Sequence, residues 1–158
     1  LGHERVGIAQ VSSSKRELKK LKKIAATEIS GGRPLIEDAR FRDRIAELEL
    51  EITALEITVL RVLSAEAKKG NPGAESSVLK IKGSEIQQTL TELKMQAFGY
   101  YAHAYIPESF ELGWRGEPEG AEEWGTVSSR YFNGRKTTIF GGSNEIQRNI
   151  IAQRILGL

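Results

Sequence analysis

Between residues 41 and 62 the apolar side chains fall at a spacing that constrains the fold more than any other feature. Phe41, Ile45, Leu48, Ile52, Leu55, Val59 and Val62 alternate three and four residues apart. That spacing lays one seam along one face of a long helix, with Arg44, Glu47, Glu49 and Glu51 elsewhere on its surface. Asp38 or a neighbour is placed to cap its start, and Gly70-Asn71-Pro72-Gly73 ends it. A second helix spans about 4–27, with Leu18, Leu21 and Ala25 as its later apolar stripe, and Gly31-Gly32-Arg33-Pro34 joins the two. A third runs from about residue 76 into 96–99, where glycine and aromatic residues break it. After a loop at 103–125 rich in Pro, Gly and Glu come two more helical pieces, roughly 126–135 and 143–156. Long helices joined by short turns favour antiparallel neighbours. The expected fold is therefore all-α, an up-and-down four-helix bundle in one domain over residues 1–158.

Composition closes off several other classes. The 158 residues contain no cysteine, which removes disulfides, thiolate metal sites and a cysteine nucleophile. No apolar run is long enough to span a bilayer, and the expected setting is cytoplasmic. A net charge of +2 does not call for a polyanionic partner, and the basic run Lys15 to Lys23 has no aromatic interleaving. It reads as a solvated helix face rather than a nucleic-acid surface. His3 and His103 have no acid cluster at metal-ligand spacing, so no metal is expected. Tyr100, Tyr101, Tyr105, Trp114 and Trp124 are expected to fasten the loop to the bundle.

The chemistry concentrates near the end, in Ile139-Phe140-Gly141-Gly142-Ser143-Asn144-Glu145-Ile146-Gln147-Arg148. Paired glycines let the backbone approach another group closely. Ser143 then opens a helix whose first N–H groups lack internal partners, a start suited to an anion or a developing oxyanion. By chemistry alone, the same residues also describe an ordinary capped turn.

This stretch resembles the C-terminal signature of the acyl-CoA dehydrogenases, and the resemblance continues more weakly back to the first residues. It implies a helical C-terminal domain of a longer flavoenzyme, an expectation that also fits a chain opening at Leu1 without methionine. In that family a base removes a proton from the carbon beside the thioester carbonyl of an acyl-CoA, and a hydride passes from the next carbon to FAD. The resemblance further implies upstream domains of the same protein, a homo-oligomer (dimer or tetramer) and an electron-transfer flavoprotein as a possible acceptor.

Many members place the catalytic carboxylate directly after the aromatic residue of the signature; here that position is Gly141. Leu1-Gly2-His3-Glu4-Arg5-Val6 resembles the start of the first helix of the same domain, where a minority branch carries its base as the acid of a Glu-Arg pair. Glu4 is thus the candidate base, with Arg5 beside it to orient or polarise. Read without the family, Glu4 is an acid in a first helical turn, complementing the helix dipole. The resemblance also places Arg33, Gln96, Gly142, Ser143 and Glu145 toward FAD, Gln96 toward the cofactor of a neighbouring subunit, and the Gly141 N–H at the thioester oxygen. The family's Phe-Gly after the phosphate-covering arginine is absent at 29–34, and Tyr100 replaces a glycine after Gln96-Ala97-Phe98-Gly99. The empty position at Gly141 also suits a non-catalytic subunit of a heteromeric enzyme, and a third reading is an oxidase that uses O₂.

Overall fold

The computed structural model describes residues 9–69, 73–114 and 124–158. Five α-helices account for most of them: α1 (Val11–Thr27), α2 (Ala39–Lys69), α3 (Ser76–Phe98), α4 (Val127–Gly134) and α5 (Asn144–Ile151). The only strands among the described residues are β1 (Ile29–Ser30) and β2 (Arg33–Pro34), paired antiparallel across Gly31 and Gly32. Both glycines have positive φ, 61° and 82°, as a two-residue hairpin turn of this twist requires. The connection read from the sequence between the two helices is thus a small hairpin that reverses the chain between α1 and α2.

The seam predicted along α2 is its buried face. Ile45, Leu48, Ile52 and Leu55 are all but inaccessible, with Phe41 and Val62 buried at either end and Val59 packed against the same cluster. Asp38 caps this helix, its Oδ1 accepting the Phe41 N–H at 2.9 Å. From α1 come Leu18, Leu21 and Ala25; from α3 come Leu79, Ile86, Leu90, Leu93 and Ala97. Burying each large aliphatic side chain here stabilises the fold by roughly 1.5–3 kcal/mol.

Ion pairs on the rim show the direction of the helices. Lys15 meets Glu56 and Lys22 meets Glu49, so numbers rise along α1 as they fall along α2. Likewise Glu51 meets Lys82 and Arg44 meets Glu92, which sets α2 against α3. Half of the basic residues in the run Lys15–Lys23 thus meet acids, with Lys20 on Glu17 as well as Lys15 and Lys22. The fourth position of the bundle is divided: α4 and α5, two short helices, both lie along α3. Among the described residues no helix is long and apolar enough to cross a membrane, and no group of three acids or histidines could hold a metal.

Glu17 ties α1 to α3 by its pair with Lys94, which is largely shielded from solvent. Burial pushes its carboxyl upward, but hydrogen bonds from Lys94 and Lys20 outweigh this and leave it below the usual carboxylate range. A depressed acid contributes stability above its unfolded value and loses it as pH falls through the folded one. Denaturation midpoints of wild type and Glu17→Gln should therefore differ at pH 6, by about 1 kcal/mol, and converge toward pH 3. Parallel curves across that range would exclude this role.

A second apolar cluster closes the far end of α3, where Phe98, Ala102, Trp124 and Val127 meet Met95, Ile106 and Trp114. Trp124 and Trp114 fasten the loop as expected, and the Tyr101 ring lies 5.7 Å from that of Trp124. Tyr100 and Tyr105 do not, being 90% and 69% exposed. For Tyr100 the cause is the 3₁₀ segment Gly99–His103, whose three-residue period turns Ala102 inward and leaves Tyr100 outside.

Candidate functional site

After α4 the chain makes a 3₁₀ turn, Arg135–Thr138, held against α3 from two sides. The Arg135 guanidinium donates to Gln88 O at 3.1 Å and Thr91 Oγ1 at 3.0 Å and lies 4.3 Å over the Tyr131 ring. In return Gln88 donates to Arg135 O at 3.2 Å. This fixes the point from which residues 139–143 leave.

Gly141 and Gly142 follow with φ of 70° and 85°, two consecutive left-handed residues that side chains would make costly. Both are exposed, and Ser143 caps α5 by accepting the Ile146 N–H at 3.4 Å. This bond uses only a lone pair, so the hydroxyl proton is left to donate to the neighbouring Glu145 carboxylate. The turn thus presents backbone donors outward at a helix start.

Beneath the turn lie two buried polar side chains. Gln147 is 1% exposed; its Nε2 donates to Gly141 O at 3.3 Å. Because the peptide unit is planar and trans, a Gly141 carbonyl drawn toward Gln147 turns the Gly142 N–H to the opposite side. The fit is close, since a Cβ on Gly142 would stand 2.6 Å from that Nε2. Gln147 Oε1 is buried with no hydrogen-bond donor among the described residues.

The second is Asn144, the first residue of α5. Its Oδ1 accepts the ammonium of Lys80 at 2.6 Å, and its Nδ2 donates to Ser84 Oγ at 3.2 Å. Ser84 spends its own proton on Ile81 O at 2.8 Å, so the donors and acceptors match. Lys80 has no accessible surface. Burial pushes its ammonium below the usual lysine range, and the nearby Glu145 carboxylate opposes this in part. Glu145 itself is held below the usual carboxylate range, first by its own backbone N–H, then by the Ser143 hydroxyl, with Arg148 and Lys80 nearby. Arg148 in turn reaches Glu85 of α3 at 3.3 Å.

The structure brings Gly141, Gly142, Ser143 and Glu145 together and sets Gln96 and Arg33 apart. Gln96 is on the same helix as Lys80 but sixteen residues on, about 24 Å along the axis. It is exposed, accepts from Arg44 and donates to Glu92 at 3.2 Å. Arg33 is exposed on β2. Glu4 and Arg5 lie outside the described residues. A groove of about 910 Å³ runs between α1, α3 and α4 over Ile24, Leu90, Phe98 and Val127, and none of the candidate sites among the described residues lines it. Lys80, Ser84, Asn144 and Gln147 were not among the expected site residues. A stripe of small or polar residues at 76, 77, 80, 84 and 88 on α3 was the available signal.

Comparison with known proteins gives the family of the chain. The family model for the acyl-CoA dehydrogenase C-terminal domain matches residues 1–156. Acyl-CoA dehydrogenase IpdE1 of Mycobacterium tuberculosis (strain ATCC 25618 / H37Rv) is 32% identical over 143 residues, covering 90% of this chain and 32% of that protein. The ChsE4–ChsE5 complex from Mycobacterium tuberculosis superimposes with a TM-score of 0.72 at 25% identity, over 94% of this chain and 36% of that one. Butyryl-CoA dehydrogenase from Megasphaera elsdenii shares the fold, with a TM-score of 0.71 at 19% identity over 96% of this chain and 36% of that one. The chain thus spans about a third of the length of the relatives it matches. It belongs to the acyl-CoA dehydrogenase family, as that family's C-terminal helical domain.

Proposed function

We propose that the chain is part of an FAD-dependent acyl-CoA dehydrogenase that introduces an α,β double bond into an acyl-CoA thioester. The observation that carries this is the exposed left-handed turn Gly141–Gly142 opening into a serine-capped helix, in a chain of this family. Gly141, without a side chain, offers its N–H to the thioester oxygen. Drawing electron density onto that oxygen acidifies the adjacent C–H, and an N–H donor in place beforehand favours the charged transition state. Glu4 takes the proton, and Arg5 orients it.

The described residues fit one wall of an FAD site. Ser143 and the exposed Glu145, hydrogen-bonded to each other, put polar groups at the helix start, and two glycines allow close approach. FAD, when bound, supplies the hydride acceptor. Ser143, Gly142 and Glu145 would face it in the same subunit, whereas Gln96, distant along α3, would serve a neighbouring subunit's cofactor; Arg33 is the candidate phosphate partner. An exposed apolar row on α2, Leu50, Ile57 and Leu60, is consistent with a homo-oligomer. Upstream domains close the other side of the site, an electron-transfer flavoprotein takes the electrons, and the setting is cytoplasmic. The isolated 158 residues are then folded but inactive.

A second reading is a non-catalytic assembly subunit, favoured by the missing side chain at Gly141. Anaerobic titration of the complete protein with a panel of acyl-CoAs, following the visible flavin band, separates the two. Bleaching by one acyl class supports the dehydrogenase. A flavin that binds and never bleaches supports the assembly subunit.

A further inference from the structure

Lys80 is an odd residue to find with no accessible surface. Lysine is almost never fully buried unless paired, and its ammonium is expensive to desolvate. Its neighbours Leu79 and Ile81 are buried too, so the side chain cannot be explained as a stem lying under a solvated head. What it reaches is Asn144 Oδ1 at 2.6 Å, a short charge-assisted contact across 64 positions of sequence. Asn144 is the first residue of α5, directly after the turn that carries Gly141, Gly142 and Ser143. Two left-handed glycines have little stiffness of their own, so their orientation depends on the Gln147 bond to the Gly141 carbonyl and on what holds the ends. One end is held by the Arg135–Gln88 bonds, the other by Lys80 and Ser84 on Asn144.

We infer that Lys80 is a positioning residue: through Asn144 it anchors the start of α5 to α3 and so holds the Gly141–Gly142 turn in the orientation from which its N–H groups meet a thioester carbonyl. The part that concerns the thioester rests on the function proposed above; the anchoring of the turn does not. A methionine at position 80 would fill the same space without a donor. Asn144 would lose its buried partner, and the turn would sample orientations in which the N–H groups point away from the substrate. An arginine would keep a cation within reach of Asn144.

The test uses the complete protein with its upstream domains and reads two quantities. The first is hydrogen exchange by mass spectrometry over residues 139–147, which needs no substrate. The second is acyl-CoA turnover normalised to bound FAD, with kcat and KM separated. Lys80→Met should raise exchange in the turn about ten-fold and lower kcat about ten-fold at temperatures well below its Tm. Lys80→Arg should recover most of both. Asn144→Leu should reproduce Lys80→Met, and the double variant should be no worse than either single one, because both break the same link.

Should Lys80→Met fail to fold, Asn144→Asp against Asn144→Leu decides by the same exchange measurement. Aspartate keeps an acceptor for Lys80 and should leave the turn protected; leucine should not. Unchanged exchange in Lys80→Met, or additive effects in the double variant, would overturn the assignment. If wild type turns over no acyl-CoA while exchange responds as described, the proposed function fails and the anchoring stands.

Discussion

Replacing Glu4 by glutamine in the complete protein should lower the rate of flavin reduction by acyl-CoA by roughly 10²- to 10⁴-fold, the range a positioned general base supplies. Affinity for the thioester should change far less, because glutamine keeps the shape and removes only the capacity to take a proton. The turn offers a complementary variant. If Glu4 and position 141 face one cleft, Glu4→Gln combined with Gly141→Glu should regain part of the lost rate. Recovery should be incomplete, since φ of 70° at position 141 costs a side chain about 1–2 kcal/mol. Full activity of Glu4→Gln would remove Glu4 from the mechanism and strengthen the assembly-subunit reading.

Gly142→Ala should be the most damaging single-methyl change in the turn. Its φ of 85° already disfavours a Cβ by about 1–2 kcal/mol. The added methyl would also stand 2.6 Å from Gln147 Nε2. Gln147 is buried, so it yields only by giving up its bond to the Gly141 carbonyl, about 1 kcal/mol more. The expected loss is thus about 2–3 kcal/mol in chemical denaturation, with activity falling alongside it. Gly142→Ala combined with Gln147→Ala should recover part of the steric cost. If Gly142→Ala matches wild type in stability, the turn is not clamped as described.

The sequence showed most clearly what depends on local pattern. The face of α2 from Phe41 to Val62, the Asp38 cap and the Ser143 cap all follow from residue type and spacing, and each is where the pattern puts it. The helix expected over 143–156 was only partly so. α5 ends at Ile151 and the chain widens into a π turn, Ala152–Leu156, a change in winding that apolar spacing does not encode. The hairpin at 29–34 was hidden because two-residue strands leave no alternation to read.

At the candidate site the glycine turn was legible, because paired glycines before a capping serine restrict the backbone directly. Lys80 was not. Nothing between Leu79 and Ile81 marks a lysine as buried. Its burial is decided by α5, which arrives 64 residues later. Asn144 and Gln147 were hidden for a related reason: nothing in a helix start says which of its polar residues will face the neighbouring helix.

The position of α3 bears on how the domain comes apart. It lies against α1, α2, α4 and α5; its buried residues surround it over residues 76–84 and continue as a stripe through Ile86, Leu90, Leu93 and Ala97. No outer helix can detach without exposing apolar or hydrogen-bonded surface on α3. Detached alone, α3 would give up all of these buried contacts at once. Stepwise peeling is therefore penalised at every step, and the domain should lose its structure in a single cooperative transition. Helical content and the burial of Trp124 would then disappear at the same denaturant concentration.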